Sequence, residues 1–313
     1  MTRTLPAAAN PPGDSTIDRD NAVSATAPSA RFATVRTGIL WMLAATCLFV
    51  CQDSIARILV QTYPVTEVAF VRYFVHLVLA GLFIAWRNPR LAFSCRPLLQ
   101  ILRSSFLLGA TLFVMLALRV TPLTDITAVV WVAPVLVTAL SGVLLHEKVT
   151  PSAWASVTAG LIGVWVITGR TGLEFSLSVL FPLFAALSNA FYQVTTRLLH
   201  NADPPLTTLF YTVLAGVLYC GGFLPFVATL PTVSGGGLML LLGLTGIASH
   251  FCLIRAFAAA PANIIAPFGY TSLLWAALFS LLLFAEVPGP RTVLGAALIA
   301  GSGLFIFLRR RKT

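Results

Sequence analysis

The chain has 313 residues, of which 58% are apolar and 10% charged, with a mean hydropathy of +0.91. Soluble domains carry about 25% charged residues, so this composition excludes a water-facing globule and places the chain in a bilayer. The net charge of +10 sets twenty basic residues against ten acids. With the bases in short loops and tails, it reads as helix orientation and not as a nucleic-acid surface.

In chain order, residues 1–36 are rich in Ala, Pro, Ser and Thr, lack an apolar run, and read as a disordered cytoplasmic tail. Apolar runs follow at about 38–60, 65–86, 98–118, 123–145 and 150–168. Five more lie at about 176–199, 206–228, 236–257, 261–284 and 289–308. Each approaches the roughly 20 apolar residues a helix needs to cross the hydrocarbon core. Each ends at a loop with Pro, Gly or charge, such as Asn88-Pro89-Arg90 and Val287-Pro288-Gly289-Pro290. The expected fold class is an all-α integral membrane protein of ten transmembrane helices, followed by a basic tail at 310–313. Cys47, Cys51, Cys95, Cys220 and Cys252 show no paired spacing; they read as packing residues, with no metal site and no cofactor expected.

With the N-terminus inside, 15 of the 20 basic residues fall on the cytoplasmic side, Arg103 and Arg255 among them. Both termini are therefore expected in the cytoplasm. Displacing the chain by 139 residues puts Ala117 on Ala256, Pro122 on Pro261, Glu147 on Glu286 and Pro151 on Pro290. A displacement of 140 puts Arg57 on Arg197, Pro64 on Pro204 and Phe70 on Phe210. The order holds over two halves, 37–170 and 171–309. Five spans per half is an odd number, so the second copy enters the membrane from the opposite side. Inverted repeats of this kind are common in secondary transporters.

Particular segments carry a resemblance. They are Pro64, Glu67 and Arg72 after Tyr63, the run Ala117 to Thr124, Leu145-His146-Glu147-Lys148, and Phe284-Ala285-Glu286-Val287-Pro288. Over about residues 38–308 the chain resembles the drug/metabolite transporter superfamily and, within it, the EamA-type proteins with two five-helix repeats. The stretch from His250 through Asn263, Pro267, Tyr270 and Leu273-Leu274-Trp275-Ala276 is similar to a bacterial subgroup that contains riboflavin and S-adenosylmethionine importers. The resemblance implies a ten-helix metabolite transporter of the bacterial inner membrane. Its cargo would be a riboflavin-like heterocycle, S-adenosylmethionine or an amino acid.

An ionisable side chain at mid-membrane costs about 2.5 to 3.5 kcal/mol on insertion scales, so each needs an account. Asp53 lies ten residues before Tyr63 and Arg72 nine after. At about 1.5 Å per residue both sit near the midplane, and an Asp53–Arg72 ion pair is expected. It reads either as a clamp between two helices or as a functional pair, with Asp53 coupling protons or Arg72 binding an anionic group. His76 and His250 fall at similar depth, with His250 beside the small-residue run Gly243 to Ser249 that permits close helix approach. Trp131, Asn189, Tyr192, Gln193, Asn263, Tyr270 and Trp275 complete the candidate lining. Together they would suit a flat cargo held by stacking and read by amides, although each aromatic also fits ordinary packing. Arg57 is expected to snorkel to water. Glu147 and Glu286 are expected to brace the helix ends or belong to gates, and Pro134 and Pro267 to interrupt their spans.

The alternatives from other classes lack their motifs. An intramembrane enzyme needs a nucleophile with its base, paired histidines or an Asp-rich site, and a channel or sensor needs a pore ring or signalling domain. No nucleotide loop is present, which leaves proton exchange or facilitated diffusion. The expected partners are small-molecule cargo and the lipid bilayer, with no nucleic acid, as a monomer or homodimer.

Overall fold

A computed structural model describes residues 28–144, 151–168, 180–199, 202–259 and 262–309. Among these residues the chain is helical and contains no strand. Six helices are long and apolar enough, by length and composition, to cross a membrane, and shorter apolar helices cover Trp154–Ile167, Phe268–Phe284 and Pro290–Phe305.

Proline sets many of the starts. Helix α1 spans Pro28–Val60 and α2 spans Val65–Arg87, with Pro64 immediately before it. Helix α3 is Pro97–Leu118, α6 is Pro151–Thr168, and α13 is Pro290–Arg309. A fixed φ and a missing N–H suit proline to the first turn, where that N–H has no helical acceptor. Helix α7 spans Leu180–Leu198 and α10 spans Val233–Ala259.

Three of the expected spans are broken. The run at 123–145 divides into α4 (Leu123–Val130) and α5 (Ala133–Leu144). The break falls at Trp131 and Val132, just ahead of Pro134, whose ring cannot follow an uninterrupted helix. The run at 206–228 divides at Val213 into α8 (Pro205–Thr212) and α9 (Leu214–Val227). The run at 261–284 becomes α11 (Ala262–Ile265), a 3₁₀ turn over Ala266–Tyr270 that contains Pro267, and α12 (Thr271–Phe284). Helix α1 also begins earlier than expected. Its backbone is helical from Pro28, so the stretch up to residue 36 is not wholly a tail; the rest of that tail, residues 1–27, lies outside the described residues, as do the final residues 310–313.

Sequence neighbours are not always neighbours in space. Helix α10 packs along both α1 and α2, whereas α1 and α2 touch only sparingly. Helix α3 packs along α7, α6 along α13, and α2 along α9. The main buried cluster draws Val50, Leu59, Tyr73, Met115, Leu123, Leu242 and Ala276 from most of these helices. Large apolar side chains also cover the outside, including Leu82, Trp165, Phe223 and Leu282. Such a surface would be an aggregation liability in water and is the expected one against lipid tails. Polar groups are gathered inside instead.

Candidate functional site

The small residues of α10 determine what meets there. A Cβ placed on Gly246 would stand 2.7 Å from the side-chain nitrogen of Gln52 on α1, and one on Gly243 would meet Val75 of α2 at 2.5 Å. Glycine at these positions lets both helices close on α10. One turn further along α10, His250 lies edge-on to Phe49 with ring centroids 5.2 Å apart, and 5.7 Å from the ring of His76. Gln52, Asp53, Arg72, His76 and His250 thus form one polar cluster on three helices.

Asp53 and Arg72 are both half-buried. They do not close a salt bridge; the single salt bridge among the described residues is elsewhere. This corrects the expected ion pair. The physical reason is the insertion of α10, which keeps α1 and α2 apart, while the Arg72 guanidinium turns toward the ring of Tyr73, 5.7 Å from its centroid. Gln52 is fully buried with both amide atoms unpartnered, and Nε2 of buried His76 is also unpartnered. An unpaired buried polar group costs about 1–3 kcal/mol, so these atoms require an account.

Arg103, in the first half of α3, is 1% exposed. Its Nε donates to Gln100 at 3.2 Å, Nη1 to the Tyr192 hydroxyl at 3.1 Å, and Nη2 to the Thr208 carbonyl at 2.7 Å and Thr212 at 2.5 Å. Its guanidinium also stands over the Tyr192 ring at 5.0 Å. The residue ties α3 to α7 and α8. The available signal was its place well inside the run at 98–118. Tyr192 is accordingly engaged by Arg103, and Asn189 is half-buried with no side-chain hydrogen bond among the described residues.

The aromatic candidates form a second group. Trp131 and Tyr270 meet with ring centroids 4.7 Å apart, at the breaks between α4 and α5 and before α12. The Tyr270 hydroxyl lies against Gly303 of α13. Trp275 packs in the main core, with its indole nitrogen unpartnered. No ring contact among the described residues joins Trp131 and Tyr270 to the His76–His250 cluster. Asn263 falls on a residue whose side chain is not described, and Glu147 lies outside the described residues.

The two ends of the bundle are also tied. Where α1 and α12 finish, Arg57 donates both Nη groups to the Glu286 carboxylate at 2.6 Å each, with its guanidinium 4.2 Å from the Phe284 ring centroid. Arg57 therefore does not snorkel to water. Ala285, between those two residues, adopts φ 54, and the Glu286 N–H reaches back to the Ser280 carbonyl at 3.0 Å, the left-handed closure of a helix end. At the opposite end, Asp203 accepts from Ser94, from the Cys95 N–H at 2.8 Å and from Gln100 at 2.8 Å. Burial would raise this carboxyl, but those donors outweigh it and hold it below its ordinary value.

An interior polar cluster inside a lipid-compatible exterior defines a multi-pass membrane protein. The EamA-like transporter family profile matches twice, over residues 36–169 and 176–308, and the chain belongs to that family. The family is one of membrane transporters and not of enzymes. Among similar proteins, an S-adenosylmethionine uptake transporter of Rickettsia prowazekii is 25% identical over 280 residues, 90% of this chain and 95% of that one. A riboflavin transporter of Vibrio cholerae is 29% identical, over 86% of this chain and 92% of its own. A solved crystal structure with 17% sequence identity matches 91% of this chain and 99% of its own at a TM-score of 0.60, a likeness of fold.

Proposed function

We propose that the protein is a secondary transporter of the bacterial inner membrane. It moves a small organic metabolite by alternating access of two inverted five-helix halves, residues 37–170 and 171–309, with both termini in the cytoplasm. The helix pairing is the observation that carries this reading. If α1 to α6 and α7 to α13 are equivalent halves, the α1–α10 contact becomes the α7–α3 contact on exchange. The α2–α10 contact becomes that of α3 with α8 and α9, and α6–α13 and α2–α9 map onto themselves. Contacts that survive exchange support two equivalent halves, and the proposed binding region lies between them, as in transporters built from inverted repeats.

The favoured cargo is a riboflavin-like heterocycle, S-adenosylmethionine or an amino acid. The relatives' names support the first two, and the rings of Phe49, His76 and His250 suit a flat solute. Arg72, Asn189, Tyr192, His250, Asn263, Tyr270, Trp131 and Trp275 remain the proposed contacts. Asp53 is the proposed proton-coupling carboxylate, because it is half-buried beside Arg72 without being closed in a salt bridge.

The test is uptake into reconstituted vesicles from a panel of riboflavin, S-adenosylmethionine and amino acids, with and without a pH gradient. Movement of at least one solute is expected. Failure to move any, in demonstrably folded protein, contradicts the reading. A proton-driven rate left unaltered in Asp53→Asn would remove that residue from coupling.

A further inference from the structure

We propose that the side-chain amide of Gln52 is the group that reads the cargo, by pairing with a heteroaromatic edge that carries a hydrogen-bond donor next to an acceptor. This rests on the transporter reading and adds a recognition residue and a substrate chemistry to it. The imide edge of a flavin and the amino-pyrimidine edge of an adenine both have this chemistry.

Three observations carry the assignment. First, Gln52 is fully buried, yet neither its nitrogen nor its oxygen has a partner. Other buried polar side chains of α1 and α10 are locally satisfied. Ser54 donates to the Val50 carbonyl at 2.9 Å, Ser249 to the Gly246 carbonyl at 2.8 Å, and Thr46 pairs with Thr271 at 3.0 Å. A side chain kept for packing alone would be met better by leucine or methionine, which have no polar atoms to strand. Second, its place is made for it by Gly246, since a Cβ there would collide with the amide nitrogen. Third, it stands within one turn of Phe49, whose partner His250 faces His76, and the Nε2 of His76 is unpartnered as well. Unpaired donors and acceptors therefore collect beside rings on which a planar solute can stack.

A primary amide presents N–H and C=O in one plane. It pairs in two-point fashion with an edge of complementary order, as glutamine does with adenine. It carries no charge, so its selectivity is independent of pH. Amino acids offer no such edge and would engage Asp53 and Arg72 instead.

The experiment measures uptake of labelled riboflavin and labelled S-adenosylmethionine by wild-type vesicles and by Gln52→Leu and Gln52→Met. Each probe is challenged with unlabelled competitor. N3-methylriboflavin blocks the flavin edge, and N6,N6-dimethyladenosine is set against adenosine for the adenine edge. The account expects wild type to move one probe and to discriminate at least about tenfold against the methylated competitor for that edge. Gln52→Met keeps length and volume, and is expected to raise KM about tenfold with kcat little changed and to lose the discrimination. A merely structural role cannot move that discrimination. Unchanged KM and unchanged discrimination in either folded variant overturn the proposal while leaving the transporter reading in place. Transport of amino acids alone overturns it too, and no transport at all overturns both.

Discussion

Arg103 holds a permanent charge away from water with no carboxylate among its described partners, and every nitrogen of its guanidinium donates to an oxygen of α3, α7 or α8. Removing it strands those acceptors as well as the packing. Arg103→Leu is expected to lower stability by about 2–4 kcal/mol, read as a fall in thermal midpoint in detergent. Arg103→Lys is expected to recover only part of it, since an ammonium cannot span the same fork of acceptors. Asp203 makes a pH-dependent contribution. Its folded carboxyl sits below the ordinary value, so its contribution to stability is present above the unfolded pKa and is lost as pH falls through the folded one. The stability difference between wild type and Asp203→Asn, measured by thermal unfolding, is therefore expected to be present at pH 7 and to shrink as the pH is taken below the ordinary carboxyl range. At this scale, cost in a bilayer was a good guide. It picked out Asp53, Arg72, His76 and His250 from the sequence, and the three helices gather them. It overlooked Gln52, because an amide is cheap to insert and becomes costly only when packing strands it. The ties of Arg103 are not legible in the sequence, because its partners Tyr192 and Thr212 lie on helices far along the chain.

At the scale of elements, two contacts decide how helices meet. The Arg57–Glu286 pair fastens the ends of α1 and α12, with side chains 15% and 32% exposed. Glu286→Gln is expected to cost about 1–2 kcal/mol, between the values for exposed and buried pairs. The swap Arg57→Glu with Glu286→Arg is expected to restore part of that in a double-mutant cycle of thermal unfolding. Gly216 on α9 is the second contact. A Cβ there would lie 2.1 Å from the ring of Tyr73, itself buried and hydrogen-bonded to Thr111 at 2.6 Å. Gly216→Ala is expected to force α2 and α9 apart at about 1–3 kcal/mol, again seen in the thermal midpoint. The element boundaries were largely legible, because proline and charge end most of the helices. The breaks at Trp131 and Val213 were less so, since hydropathy is blind to backbone continuity and a window that averages over a break still reads as one span. The Asp53–Arg72 contact was misjudged for a related reason. Depth along a helix follows from residue count, but which helices lie side by side does not, and α10 comes between α1 and α2.

For the whole molecule, composition alone puts the chain in a bilayer, and displacement of the sequence on itself points to two halves. The family profile matches twice, over residues 36–169 and 176–308. The proposed mechanism is that these halves exchange roles about a central cluster open to one side at a time. Counterflow tests it most directly. Vesicles holding the reconstituted protein are loaded with an excess of the unlabelled solute that the panel identifies and diluted into a trace of the labelled form, with no pH gradient. Alternating access predicts a transient accumulation of label above equilibrium, because carriers returning from the loaded side trade one molecule for another. Label that only rises to equilibrium, at the same rate in loaded and empty vesicles, would contradict the account.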